Sequence, residues 1–133
     1  MKSLYAVVAQ RAGHRCEYCH APEGIFNFPF EIEHVIPQSL HGSDDEANRA
    51  LACRGCNLRK SDHRTGLDEI TGSDCPLFHP RHDQWDEHFL VDKETGAIQG
   101  LTPVGRAVVA RLQMNSPVQL EARRMWMRLG LFP

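Results

Sequence analysis

Two groups of residues in the first half of the chain have the types and spacing that chemistry requires. The first group is two Cys-x-x-Cys pairs, Cys16 with Cys19 and Cys53 with Cys56. Four thiolates are the donor set of tetrahedral Zn²⁺, and four protein ligands leave no open coordination position. The pairs therefore predict one structural zinc that joins the N-terminal knuckle to the second pair. The remaining cysteine, Cys75, is interpreted as a lone, partly buried thiol.

The second group lies between Glu31 and His63 and consists of hard metal ligands beside a histidine. Glu33 offers a carboxylate and Asn57 a carbonyl oxygen, both suited to Mg²⁺ or Mn²⁺. His34 is the candidate general base, because histidine titrates near neutral pH. Neighbours in a strand point to opposite faces. Glu33 and His34 can share a site only where the strand ends or twists, which Pro37 permits.

A histidine further along, His63, is the alternative to Asn57 as second ligand. On one helix, positions six residues apart differ by about 240° in direction and by about 9 Å along the axis. The two side chains therefore cannot bind the same ion. Asn57 is preferred because it directly follows Cys56, which the zinc would anchor beside the first strand.

Periodicity and capping residues predict the elements that must position these groups. A helix is predicted over residues 4–12, strands over 30–35 and 49–52, and a helix over 54–63, which gives a β-loop-β-α unit. Residues 65–80 show little periodicity and are predicted to wrap over the surface. A helical turn around Trp85, a hairpin with strands 88–91 and 97–99, and two helices beginning at Thr102-Pro103 and Ser116-Pro117 complete the chain.

The length of 133 residues fits one domain with a modest core. We predict residues 1–64 as that core, with its N-terminal helix, and residues 65–133 as an extension packed on it. No apolar run reaches the length of a membrane span. The apolar stretch near the start is too short for a signal peptide, which predicts a cytoplasmic protein without membrane contacts. No oligomeric state is indicated.

Positive charge is concentrated around the second group of residues. The net charge is only −2, but residues 49–64 contain five cations against Asp62 alone: Arg49, Arg54, Arg59, Lys60 and Arg64. A cationic patch around an acidic pocket suits a phosphate-bearing substrate that also needs a metal. A solvated helix face is the alternative interpretation for any single one of these residues.

The sequence EHVIP, followed by Glu46 and Asn48 and then by LACRGCNLRKSD, resembles the HNH endonuclease family in its zinc-bound His–Asn–Asn form. The resemblance runs from Arg15 to about His63, and the later LFHPR and W-x-x-HF segments resemble, more loosely, the extension of one HNH subgroup. Two departures are visible. Many family members have Asp where Glu33 stands, and the usual Gly-Gly of the loop is Gly42-Ser43 here.

The resemblance implies an α+β fold, a small ββα-metal finger with a four-cysteine zinc site, extended here by a C-terminal β-hairpin and two helices. It implies that His34 is the general base, that Glu33 and Asn57 bind a catalytic Mg²⁺ or Mn²⁺, and that Asn48 orients His34 by holding the loop. Lys60 and Arg59 would add positive charge at the transition state. The expected activity is phosphodiester hydrolysis in nucleic acid, with DNA favoured.

Two other classes of protein fit part of the pattern. A non-catalytic, zinc-finger-like binder of nucleic acid would explain the cysteines and the cations but would leave Glu33, His34 and Asn57 without a role. A protein-interaction module stapled by zinc would fit the acidic segment 65–100 equally well. The endonuclease is preferred because it uses all of these residues together.

Overall fold

Short helices and two-stranded antiparallel sheets form the fold. The computed structural model describes residues 3–133, which contain the helices α1 (Leu4–Arg11), α2 (Arg54–Lys60), α3 (Trp85–His88), α4 (Pro103–Leu112) and α5 (Pro117–Arg128), and the strands β1 (Glu31–His34), β2 (Arg49–Ala52), β3 (Thr65–Asp68), β4 (Ser73–Pro76), β5 (Phe89–Val91) and β6 (Ile98–Gly100). The pairs are β1–β2, β3–β4 and β5–β6. The predicted α+β class is confirmed.

The β1–β2–α2 unit carries the residues that the sequence analysis singled out. Glu31 lies opposite Ala52, and His34 lies opposite Arg49. Helix α2 follows at once, with the Cys53 sulfur accepting from the Cys56 amide as its N-cap. The helix ends at Lys60, three residues earlier than predicted, because Ser61 takes the non-helical φ of 49°.

Helix α1 is built as its sequence predicts, one residue shorter. The Ser3 hydroxyl accepts from the Ala6 amide at 3.1 Å, and Val8 and Ala9 are buried against the core. Gly13 takes a φ of 64° just after the helix, in the left-handed region that favours glycine.

The β3–β4 hairpin contradicts the expectation of an irregular wrap over residues 65–80. Its strands are short and mostly polar, so they give no alternating signal of their own. They are held by α4, which passes so close that a Cβ on Gly66 would lie 2.4 Å from the Ala107 carbonyl oxygen. Buried Asp68 also pairs with Arg106 of α4 at 2.7 Å. The strands thus depend on contacts distant in sequence.

The C-terminal elements match their predicted caps. Thr102 accepts from the Gly105 amide and Ser116 from the Gln119 amide, each with proline at the first helical position. The predicted hairpin is present as β5–β6, but its first strand begins at Phe89 because His88 completes α3. Within residues 3–133, no helix has the length and apolar character that crossing a membrane requires.

Candidate active site and metal centre

The four predicted zinc ligands lie together. The sulfurs of Cys16, Cys19, Cys53 and Cys56 are all within 4.8 Å of one another. The Cys19 and Cys53 sulfurs are 3.8 Å apart, the edge of a tetrahedron with metal–sulfur bonds of about 2.3 Å. Burial raises the pKa of the Cys16 thiol. A divalent cation is what would let four thiolates share this buried space, so the cluster fits zinc.

The first cysteine pair is fixed to the rest of the fold by its two intervening residues. The Glu17 amide donates to the Leu51 carbonyl at 2.8 Å, and the Glu17 carboxylate accepts from the Leu51 amide at 2.8 Å. The Tyr18 carbonyl accepts from the Trp85 indole at 2.8 Å. The zinc knuckle, residues 15–22, is therefore tied to both β2 and α3.

A groove of about 310 Å³ runs between β1 and α2, and we call it the β1–α2 groove. Its lining includes Glu33, His34 and Asn57 together with Ile32, Pro37, Gln38, Ser39, Ser61 and Asp62. Three consecutive residues of β1, from Ile32 to His34, line this groove. Neighbouring Glu33 and His34 therefore share it, although successive residues of a strand point to opposite faces.

The His34 ring is oriented from the loop that joins β1 to β2. Its Nε2 atom lies 2.8 Å from Asp44 Oδ1, an oxygen that also accepts from the Gln38 amide group at 2.8 Å and from Arg49 at 3.2 Å. The bond to His34 is the largest of the causes that hold the pKa of Asp44 below its usual range, and the Arg49 charge and the Gln38 bond add to it. The carboxylate therefore stays charged and favours an N–H on Nε2.

The loop itself is closed by the buried side chain of Asn48. Its Oδ1 accepts from the Ile36 amide at 2.8 Å, while its Nδ2 donates to the carbonyls of Ile36 at 3.0 Å and Ser43 at 2.8 Å. The close approach also requires glycine, since a Cβ on Gly42 would lie 1.7 Å from the Ile36 carbonyl oxygen. Ser43 is compatible with this bond because Asn48 donates to its backbone carbonyl and not to its side chain.

The segment that holds the cysteine knuckle, the strand-loop-strand and the helix with the second cysteine pair matches a known family. Residues 16–63 match the HNH endonuclease family. The match starts at Cys16, and this HNH segment includes both cysteine pairs, β1, the loop and α2. No curated protein and no solved structure matches the chain. The resemblance seen in the sequence is confirmed, and it indicates a nuclease or nucleic-acid-binding function.

Within the HNH segment, Glu33 lies in a buried ion pair. Its Oε2 accepts from Lys60 Nζ at 2.9 Å, and its Oε1 accepts from the Tyr18 hydroxyl. Burial raises the pKa of Glu33, although the Lys60 charge and the Tyr18 bond oppose that rise. Burial also raises the pKa of Tyr18, as does the Glu33 charge, so the tyrosine keeps its proton and remains the donor.

Lys60 differs from its predicted role as a substrate contact. It is only 1 % exposed, and its ammonium group also donates to the carbonyls of His34 at 3.1 Å and Val35 at 2.9 Å. The sequence placed it in a basic run, but its side chain points from α2 toward β1. An ammonium group whose three donors are all bound inside the protein has none left for a phosphate, so Lys60 contacts Glu33 and the backbone of β1 and Val35 instead.

Asn57 lines the groove, and its amide donates to the Glu31 carboxylate. The same carboxylate accepts from Arg54 at 2.8 Å. His63 lies beyond the end of α2 and is exposed; it does not line the groove itself, although the preceding residues Ser61 and Asp62 do. This placement favours Asn57 over His63, and the ligand assignment itself stays a prediction.

The other cations predicted to contact phosphate differ in whether they are already paired with a carboxylate of the protein. Arg49 is bonded to Asp44, and Arg54 to Glu31. Arg59 and Arg64 have no ion-pair partner among residues 3–133, but Arg59 is half-buried and lines a separate cavity together with Cys53 and Trp126. Among the five predicted cations, Arg64 is therefore the exposed one without an ion pair.

Three residues at the site were missed in the sequence: Tyr18, Glu31 and Asp44. Glu31 carried a usable signal, because it lies two residues before Glu33 and so shares its face of the strand. Tyr18 and Asp44 gave none, since only the folding of the knuckle and of the loop brings them to β1.

Proposed function

We propose that this protein is a metal-dependent endonuclease that hydrolyses phosphodiester bonds in nucleic acid, with DNA as the favoured substrate. The observation that supports it best is that His34, Glu33 and Asn57 line one groove while the His34 ring is oriented by a carboxylate. A non-catalytic binder would have no use for this arrangement.

In this mechanism His34 is the general base. Because the Asp44 carboxylate binds Nε2 of the ring, the neutral tautomer carries its proton there, and Nδ1 keeps the free lone pair. Nδ1 would take a proton from the attacking water. Asp44 would then stabilise the charged imidazolium, the role that an orienting carboxylate has beside a catalytic histidine.

The residues fit a divalent cation of the Mg²⁺ or Mn²⁺ type. Glu33 and Asn57 both line the groove, and their side chains carry hard oxygens, a carboxylate and an amide carbonyl. A carboxylate offers about four lone-pair positions, and Tyr18 and Lys60 use two of them. When bound, such an ion supplies Lewis acidity to the scissile phosphate. Exposed Arg64 would hold a flanking phosphate through a salt-sensitive, sequence-independent contact.

A plasmid-nicking assay with added Mg²⁺ or Mn²⁺ tests the proposal, comparing wild type with His34→Ala. Loss of a positioned general base should lower the rate by about 10²–10⁴-fold. His41→Asn is the control, because it removes an exposed histidine that does not line the groove, and asparagine tolerates the left-handed backbone of that position. Cleavage by wild type that His34→Ala leaves undiminished would remove His34 from the mechanism, and binding without any cleavage would favour the non-catalytic binder.

A further inference from the structure

We propose that Tyr18 and Lys60 are positioning residues, which act through Glu33 to couple the zinc knuckle to the backbone of His34. The three side chains form a buried group, here called the Tyr18–Glu33–Lys60 cluster. The proposal rests on the function assigned to His34 above, but the contacts that carry it belong to the folded protein without substrate.

The knuckle end of the cluster is set by the zinc ligands. Tyr18 lies between Cys16 and Cys19, is 1 % exposed, and donates its hydroxyl to Glu33. Its main chain is held by the Trp85 indole. Because cysteines of the metal cluster lie on both sides of Tyr18, the Tyr18 hydroxyl can keep its position only while the zinc knuckle keeps its shape.

The opposite end of the cluster holds the end of β1. An ammonium group has three protons, and Lys60 directs them to the Glu33 carboxylate and to the carbonyls of His34 and Val35, all within 3.1 Å. These carbonyls belong to the two consecutive peptides that leave the strand, where regular pairing with β2 stops at His34 and Arg49. Lys60 therefore fixes the backbone from which the His34 ring projects.

The chemical consequence is control of the direction of the His34 ring. Asp44 binds the ring from a highly exposed loop side chain, whereas Lys60 binds the His34 backbone from the interior. Displacement of a catalytic group by about 1 Å can cost about 10²-fold in rate. A buried, fully hydrogen-bonded cation is a suitable means of preventing such a displacement, because no water competes for its acceptors.

Tyr18→Phe is the decisive variant, because it removes one hydroxyl while both buried charges stay paired. Tyr5→Phe is its matched control, since Tyr5 also donates its hydroxyl to a glutamate, Glu23, but away from the β1–α2 groove. Lys60→Met leaves Glu33 without its cation and is expected to destabilise the fold. Lys60→Arg keeps the charge but cannot present three protons to the same acceptors.

The experiment combines two measurements on the zinc-loaded wild type and variants, and the zinc content of each protein is checked. The first is the NMR ring signals of His34 in protein without substrate or added Mg²⁺, assigned by their loss in His34→Gln. The second is the kinetics of nicking. For Tyr18→Phe we expect shifted His34 ring signals and a kcat lower by about tenfold with KM unchanged. Tyr5→Phe should match wild type in both measurements. Lys60→Arg should not reach the wild-type ring signals and kcat, although it keeps the positive charge.

The two measurements separate this inference from the proposed function. Unshifted ring signals and an unchanged kcat in zinc-loaded Tyr18→Phe would overturn the coupling while leaving the nuclease in place. If the wild type does not cleave nucleic acid, the proposed function fails and the ring signals alone decide the coupling. Equal shifts in Tyr18→Phe and Tyr5→Phe would also overturn it, because the effect would then not be specific to the cluster.

Discussion

At the scale of single residues, we expect Asp44 to set the tautomer of His34. Asp44→Ala removes the acceptor at Nε2, so the proton can move to Nδ1 and block the lone pair that would activate water. Because Asp44 is 70 % exposed, we expect a fall in kcat of about tenfold to hundredfold, less than for a buried orienting carboxylate. Nicking kinetics measure it.

The neighbouring Asp45 provides the control for this prediction. It is exposed, and its side chain does not bond His34 or cap the following turn. Asp45→Ala removes the same charge from the same loop and should retain the wild-type kcat. Equal losses in the two variants would mean that loop charge, not the bond to His34, is what matters.

At the scale of elements, the contact between β3 and α4 depends on glycine. The Cβ of Gly66→Ala would lie 2.4 Å from the Ala107 carbonyl oxygen, which is backbone and cannot rotate away. We expect the free energy of unfolding to fall by about 1–3 kcal/mol or more, measured by urea denaturation. Gly24→Ala, where no atom lies within 4 Å of the new Cβ, should change it little.

The same two elements are joined by a charge pair that makes stability depend on pH. The Arg106 guanidinium holds the pKa of Asp68 well below its usual range. A depressed folded-state pKa gives stability that is complete above the unfolded pKa of about 3.9 and is lost as pH falls toward the folded value. The stability advantage of wild type over Asp68→Asn should therefore be constant near neutral pH and shrink below about pH 4.

Urea titrations across that pH range measure the effect. Asp74→Asn, on the partner strand β4, is the control because Asp74 is exposed and has no ion pair among residues 3–133. A stability difference for Asp68→Asn that stays constant down to the lowest pH would contradict the assignment of the pair.

At the scale of the whole molecule, the four-cysteine cluster joins segments that lie far apart in the sequence. Zinc ligation by four cysteines contributes folding free energy directly, about 10–16 kcal/mol in small zinc domains. We expect Cys53→Ser, or a strong chelator, to unfold the HNH segment, observed as lost near-UV circular dichroism. Cys75→Ser should have no such effect, because Cys75 lies in β4 outside the cluster. Protein that purifies without metal and is fully folded would refute the prediction.

Local spacing was enough to predict the zinc ligands and the β1–β2–α2 unit, because the pairs of cysteines, the caps and the turns act over a few residues. The β3–β4 hairpin was not predictable in this way, since Gly66 and Asp68 gain their meaning from α4, about forty residues later. The role of Lys60 was hidden for a similar reason. Its neighbours in sequence are basic and polar, and only the packing of α2 on β1 shows that it is buried.

The prediction of a single domain over residues 1–133 and that of a cytoplasmic location both stay predictions. For the site residues, the structure shows their positions and their partners. The structure brings His34, Glu33 and Asn57 to one groove, but it gives Glu33 two buried partners that no local pattern indicated.

The bond from the Trp85 indole to the Tyr18 carbonyl gives the protein an internal optical reporter. Trp85 also stacks on His20, with 3.9 Å between the ring centroids, and His20 directly follows the predicted zinc ligand Cys19. The second tryptophan, Trp126, packs instead against Phe26 and Phe132. With Trp126→Phe, the remaining emission comes from an indole whose N–H is bonded to the knuckle. Its wavelength and intensity can therefore follow zinc release in real time, without any added dye.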